Sequence, residues 1–111
     1  MSVIYRSDNT AAFGNTFLTI EIDNSDLYKI SKILFVVNDK TIIKTFTDEN
    51  FFQRETVILS VNFDSDETMK LLPSNIGRVL LYDENNYQLT CPQSIEFNAR
   101  NGVIVNARFK G

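Results

Sequence analysis

The residues best suited to chemistry form a short acidic run, DSDET, at positions 64–68. Closely spaced carboxylates can bind calcium or share a proton in acid–base catalysis. An EF-hand calcium loop needs a third oxygen ligand followed by a glycine, and this run has neither. Asp64 and Glu67 instead have the spacing of a capping box, in which two side chains satisfy free amide groups at the start of a helix. We therefore predict a structural helical turn here.

The residues after the acidic run set the length of this helical turn. Met69 and Leu72 are three positions apart and would share one helix face, and Pro73 disfavours helix at the residue before it. The sequence thus predicts one short helical turn, at about 65–72, whose Met69 and Leu72 side chains cover one end of a β-sheet core.

Other residue types that carry chemistry are scarce. The chain has no histidine, one cysteine (Cys91) and four dispersed glycines, so it lacks the usual general base, a catalytic Cys–His pair and a glycine-rich phosphate loop. Three further acidic pairs fall in predicted turns, where acids favour local backbone hydrogen bonds: Asp23 with Asp26, Asp48 with Glu49, and Asp83 with Glu84. We expect no catalytic residue, metal site or cofactor, and predict that the protein is not an enzyme.

The elements around these residues have the two-residue period of β-strands. Apolar and polar side chains alternate in TFLTIEID (16–23), TVILSVNF (56–63) and SIEFNA (94–99), which is typical of strands with one buried face. Two other runs, ILFVV (33–37) and VLLY (79–82), are apolar on both faces. Such runs indicate either central strands covered on both sides or a sheet face used for association.

Turn residues between these runs predict three hairpins. Asn38–Asp39 separates 33–37 from 41–46, and residues 83–86 separate 76–82 from 87–91. Asn101–Gly102 separates 94–100 from 103–109; the alternative is a bulge at Gly102 within one long strand. With 111 residues and about seven or eight short strands, the chain is predicted to form one all-β domain, an immunoglobulin-like antiparallel β-sandwich.

Charge and hydropathy exclude several classes of function. The net charge is −3 and no two of the eleven basic residues are adjacent, so a phosphate-binding stripe for nucleic acid is not expected. No apolar run is long enough for a membrane-spanning helix or a signal peptide. We expect a protein made without an export signal and acting in a virion or in the host cytoplasm.

Four aromatic residues are candidates for a binding surface. Phe51 and Phe52 lie in a polar connection, TDENFFQRE, where exposed rings would indicate an interface. Tyr82 and Tyr87 flank the turn at 83–86 and would be cross-strand neighbours. These rings could contact a protein partner or a sugar, and the alternative is ordinary packing in the core and on the sheet.

The order of segments resembles a family of small phage and prophage proteins similar to the N-terminal immunoglobulin-like domain of the phage baseplate upper protein. Gly14, Asn15, Thr16 and Phe17 match its opening motif, and the helical turn matches at Asp64, Thr68, Met69 and Leu72. The resemblance covers roughly residues 14–105. The long C-terminal region of a full baseplate protein is absent from this chain, so the resemblance implies a free-standing module.

The resemblance implies a structural or accessory virion protein of the tail or baseplate type, with no catalytic residues. Its expected partners are copies of itself or other virion proteins, held by burial of an apolar face or by pairing of edge strands. No nucleic acid, membrane or small-molecule ligand is expected. The alternative function is a carbohydrate-binding β-sandwich module that uses Tyr82, Tyr87 or the loop containing Phe51 and Phe52.

Overall fold

The computed structural model describes residues 4–5, 17–24, 29–48, 51, 55–89 and 93–110, without the side chains of 4, 5, 93 and 110. These residues form eight strands and one helix, in the order β1 (Ile4–Tyr5), β2 (Phe17–Asp23), β3 (Lys32–Val37), β4 (Ile42–Thr47), β5 (Thr56–Asn62), α1 (Ser65–Thr68), β6 (Ser74–Tyr82), β7 (Gln93–Arg100) and β8 (Val103–Lys110).

The strands form two antiparallel sheets, which confirms the predicted immunoglobulin-like β-sandwich. One sheet has the order β1-β2-β5 and the other has the order β4-β3-β6-β7-β8. Strands β1, β2 and β5 of the smaller sheet correspond to strands A, B and E of the immunoglobulin fold. In the larger sheet, the order β4-β3-β6-β7 corresponds to C′, C, F and G, and β8 is an additional edge strand.

Alternate residues of both sheets point inward and form one core. Leu18, Ile20 and Ile22 of β2 are fully buried, as are Phe35 of β3 and Leu81 of β6. This alternation follows from the two-residue period of side chains along a strand. The predicted half-buried strands therefore place their apolar residues in the core.

Three phenylalanine rings make up the centre of this core. The Phe97 ring lies 6.4 Å from the Phe35 ring and 6.2 Å from the Phe63 ring, measured between centroids. Gly77 of β6 lies directly beside Phe35, because a Cβ atom built on Gly77 would be 2.2 Å from Cζ of that ring. The glycine therefore makes space for the ring.

Two of the three predicted hairpins are formed in full. The turn at 38–41 joins β3 to β4, and Asn101–Gly102 joins β7 to β8 with positive φ angles of 54° and 77°. The β7–β8 ladder shifts register between Asn98 and Ala99, so a bulge is present within the hairpin and not at Gly102. After the turn at 83–86, within the part of the chain that the structure describes, the third hairpin continues as a bridge between Tyr82 and Gln88 and a hydrogen bond from the Leu89 amide to the Leu81 carbonyl at 2.8 Å.

The helical turn is shorter than predicted and packs differently. Helix α1 spans only Ser65–Thr68, so the chain has left the helix before Met69 and Leu72. Met69 is 84% exposed and Leu72 is 54% exposed, whereas Leu71 packs against the core. The prediction that Met69 and Leu72 cover the core is therefore wrong, because their shared face requires a longer helix than the four residues present.

Candidate functional site

The outer face of the five-stranded sheet carries the apolar side chains that the doubly apolar runs predicted. Strands β3 and β6 are adjacent in this sheet, with Leu34 opposite Leu80 and Val36 opposite Arg78. Their inward neighbours Phe35 and Val79 are fully buried, whereas Leu34, Val36 and Leu80 are half-buried. One face of these strands thus forms the core and the other reaches the surface.

Neighbouring elements extend this surface. Ile43 of β4 lies opposite Val36 and is 51% exposed, and Ile76 of β6 is 44% exposed. Together with Leu72 these side chains form a continuous group that we call the outer-face patch: Leu34, Val36, Ile43, Leu72, Ile76 and Leu80. Grouped exposed apolar side chains of this kind are typical of interaction sites.

The patch includes a groove with a volume of about 470 Å³. Four members of the patch line it, namely Val36, Leu72, Ile76 and Leu80. Its polar lining comes from the β3–β4 turn and from the central strand: Asn38, Asp39, Lys40 and Arg78. The groove therefore combines an apolar surface with charged groups that can orient a ligand.

The turn beside the groove has an unusual backbone. Asn38, Asp39 and Lys40 have consecutive positive φ angles of 48°, 56° and 75°. Asn and Asp tolerate this left-handed region, but for lysine it is costly. Residues held in such conformations cluster at binding sites, where the surrounding structure maintains them.

A hydrogen-bond network holds this turn against β6. Asn38 donates from Nδ2 to Oδ1 of Asn75 at 2.8 Å, and its own Oδ1 accepts from the Ile76 amide at 3.0 Å. Asn75, which is 1% exposed, also accepts from the Leu72 amide at 2.8 Å and donates to the Leu72 carbonyl at 2.7 Å. The network fixes the turn, Leu72 and Ile76 relative to one another.

Of the two phenylalanines that were candidates for an interface, Phe51 lies within the described residues. Phe51 is 5% exposed and belongs to the hydrophobic core, which is the alternative of ordinary packing, so its ring offers no exposed surface. Its ring gains more from burial in the core than it would from exposure in a polar connection. Phe52 lies outside the described residues.

The two tyrosines reach the surface to different extents. Tyr82 is half-buried at the end of β6, and Nζ of Lys32 lies 5.0 Å from the centre of its ring. Tyr87 is 71% exposed. The bridge places Gln88 opposite Tyr82, so the two tyrosines are not directly opposed across the strands.

The acidic run at 64–68 forms the predicted capping box. Oδ1 of Asp64 accepts from the Glu67 amide at 2.8 Å, and Oε1 of Glu67 accepts from the Asp64 amide at 3.0 Å. Glu67 also forms an ion pair with Lys44 of β4. Within the described part of the chain, no three Asp, Glu, His or Cys residues are grouped so that they could hold a metal ion.

The remaining predicted acidic pairs are only partly described. Oδ1 of Asp83 accepts from the amides of Asn85 at 2.8 Å and Tyr87 at 2.9 Å, which is the turn role that was predicted. Asp23 is the last residue of β2 and therefore lies in a strand instead of a turn. Several residues singled out in the sequence lie outside the described part: Gly14, Asn15, Thr16, Asp26, Glu49 and Cys91.

Comparison with known proteins identifies no family model, curated protein or solved structure that matches this chain. Among the described residues, no helix has the length and apolar character needed to cross a bilayer. The class of protein defined by the geometry is thus an immunoglobulin-like β-sandwich with an apolar groove on the outer face of its larger sheet.

Proposed function

We propose that this protein is a structural or accessory virion protein of a phage or prophage, a tail- or baseplate-type assembly module that acts by protein–protein association. The observation that carries the proposal is the outer-face patch. Its aliphatic side chains lie on strands of one sheet, apart from Leu72 just before β6, and several are accessible: Ile43, Leu72 and Ile76 are 51%, 54% and 44% exposed.

A rigid sheet face suits a module that assembles without catalysis. Its side chains are already ordered by the strands, so binding costs little additional conformational entropy. Each half-buried aliphatic side chain that becomes fully buried contributes on the order of 1 kcal/mol. The proposed role includes no reaction and no cofactor, and its location is the virion or, before assembly, the host cytoplasm.

The resemblance to the phage baseplate family supports the same proposal. Phe17 of its opening motif begins β2, and Asp64 and Thr68 of its turn motif begin and end the capped helical turn. The motif thus coincides with the connection that leads from the smaller sheet into the central strand of the larger sheet.

Immunogold electron microscopy of particles tests the proposal. Prophages in the strain that encodes the chain are induced, particles are purified, and the protein is labelled with a specific antibody. We expect label at one defined position on each particle. Abundant protein in the lysate with no label on any particle would refute a virion role.

Carbohydrate binding is a second candidate, favoured by the exposed ring of Tyr87. An exposed tyrosine can stack on the apolar face of a sugar, since its ring offers a flat apolar surface with a polar tip. A glycan array probed with the wild-type protein and with Tyr87→Ala tests this function. Hits that persist in the Tyr87→Ala variant would exclude a site built on this ring.

A further inference from the structure

The groove on the outer face has a local charge opposite to that of the whole chain. Two cations, Lys40 and Arg78, and one anion, Asp39, line the groove, while the protein as a whole carries a net charge of −3. Neither Lys40 nor Arg78 forms an ion pair with any residue in the described ranges. The groove is therefore positively charged on an acidic protein.

The position of Arg78 determines which partners can fill the groove. Arg78 lies between Ile76 and Leu80 on the outer side of β6 and opposite Val36 of β3, so its side chain leaves the sheet in the middle of the apolar surface. Burying this charge without an anion would be costly, because an unpaired charge loses its hydration.

A second copy of the chain is a poor occupant for this reason. In a two-fold symmetric interface centred on the groove, the same surface is used twice, and the two Arg78 side chains would face each other. Like charges brought together on a desolvated surface oppose association. The charge pattern instead requires an anion supplied by a different surface.

We infer that the groove binds an extended segment of another protein that presents an Asp or Glu between two aliphatic side chains on one face, that is, at every second position. The aliphatic side chains would contact Leu72, Ile76 and Leu80, and a carboxylate would accept paired hydrogen bonds from the Arg78 guanidinium. This inference rests on the proposed function, because it names the chemistry of the partner that the assembly module would recognise.

Short, end-blocked peptides provide the probe. The Leu–Glu peptide has Leu, Glu and Leu at every second position with Ser between them. The Leu–Lys peptide has Lys in place of Glu, and a third peptide has Ser in place of each Leu. Each is titrated into the isotope-labelled protein while backbone amide resonances are followed by NMR. We expect the Leu–Glu peptide to shift amides of β3, β6 and the 38–41 turn, and to bind at least about tenfold more tightly than either other peptide.

Matched variants test the charge and the apolar surface separately. Arg78→Glu should reverse the preference so that the Leu–Lys peptide binds more tightly, whereas Lys29→Glu, an exposed lysine before β3, should not. Leu80→Gln should weaken binding of the Leu–Glu peptide about tenfold. Ile58→Gln, on the outer side of the smaller sheet at 61% exposure, should leave it unchanged.

Several outcomes would overturn the inference. Equal binding of the Leu–Glu and Leu–Lys peptides, or no binding of either, would exclude recognition of an acidic segment. Self-association in sedimentation velocity that is abolished by Leu80→Gln but not by Ile58→Gln would show that a second copy fills the groove. The virion test is independent, since labelled particles without peptide binding would refute only the inference, and peptide binding without label would refute only the virion role.

Discussion

The side chain of Asn75 joins three parts of the chain through one buried amide. It bonds to the Asn38 side chain in the β3–β4 turn and to both backbone groups of Leu72, and its Nδ2 lies 3.4 Å from the Phe97 carbonyl oxygen of β7. A buried side-chain amide with several hydrogen-bond partners contributes more to stability than a single hydrogen bond, because its loss leaves the partner groups unpaired.

Substitution of Asn75 should therefore be severe. We expect Asn75→Ala to lower the free energy of unfolding, measured by urea denaturation, by about 3 kcal/mol. Asn98→Ala is the control, since the Asn98 side chain makes one bond at an exposed position, to the Pro73 carbonyl at 2.9 Å, and should cost about 1 kcal/mol. Equal losses of unfolding free energy in the two variants would show that the Asn75 network contributes no more stability than a single exposed hydrogen bond.

Gly77 and Phe35 make a second prediction at the scale of single residues. Gly77→Ala would place a Cβ atom 2.2 Å from the ring of Phe35, so the ring or the strand must move. We expect the free energy of unfolding to fall by about 3 kcal/mol, and by about 2 kcal/mol for Phe35→Leu alone. Because the smaller Leu relieves the clash, the double variant should lose less than the sum of these values, and simple additivity would contradict the packing argument.

Helix α1 shows how a short element can be structural even though two of its four residues are acidic. The carboxylates of Asp64 and Glu67 accept hydrogen bonds from backbone amides, and no residue of the helix has a buried side chain. We expect Asp64→Ala to lower the free energy of unfolding by about 1 kcal/mol through loss of the cap. Asp66→Ala, which removes an acid of the first turn without a capping bond, should cost about 0.3 kcal/mol.

Calcium provides an independent check on the role of α1. Millimolar calcium chloride should leave Tm unchanged in differential scanning calorimetry, because the Asp64 and Glu67 oxygens already accept backbone hydrogen bonds. A rise in Tm that is seen in the wild type and lost in Asp64→Ala would instead indicate an ion site.

The β3–β4 turn links stability to the groove. Lys40 has a φ of 75°, which glycine adopts without the steric cost that lysine incurs. We expect Lys40→Gly to raise the free energy of unfolding by about 0.5 kcal/mol while weakening binding of the Leu–Glu peptide. Lys29→Gly, at a residue without a positive φ, should give no such gain. Unchanged stability in Lys40→Gly would show that the turn carries no strain.

Local patterns predicted the elements well where one short-range cause dominates. Alternation identified β2, β5 and β7, and Asn101–Gly102 identified the last hairpin, because strand period and turn preference act over a few neighbouring residues. The burial of Phe51 could not be predicted in this way, since the core that it joins is assembled from residues throughout the chain. The exposure of Met69 was missed because periodicity alone does not set where a helix ends.

At the scale of the whole molecule, the outer-face patch depends on pairing between distant segments. Leu34 and Leu80 become neighbours only because β3 pairs with β6, and Ile43 joins them only through the register of β4. The doubly apolar runs indicated that a second face existed, but the sequence did not reveal the groove or the place of Arg78 within it. These properties follow from the strand order of the sheet.

The edge strand β4 carries a charged residue on its inner side. Lys44 lies opposite the buried Phe35, its Nζ atom is 5.9 Å from the centre of the Phe63 ring, and it forms an ion pair with Glu67. An inward-pointing charge on an edge strand hinders pairing with the edge of another molecule, because pairing would bury that charge. Lys44 thus disfavours association through this edge.

Removing the Lys44 charge should allow the β4 edge to pair with another molecule. We expect Lys44→Leu combined with Glu67→Gln to self-associate in sedimentation velocity at concentrations where the wild type does not, with the free energy of unfolding changed by less than about 1 kcal/mol. Glu67→Gln is included because glutamine preserves the capping box and no carboxylate is left without its partner. Two control variants separate loss of the inward charge from a general gain in hydrophobicity. One is Glu67→Gln alone, and the other is Thr45→Leu, which adds an apolar side chain on the outer side of the same strand. If the double variant remains as monomeric as Glu67→Gln alone, protection of this edge must come from the shape of the strand instead of from Lys44.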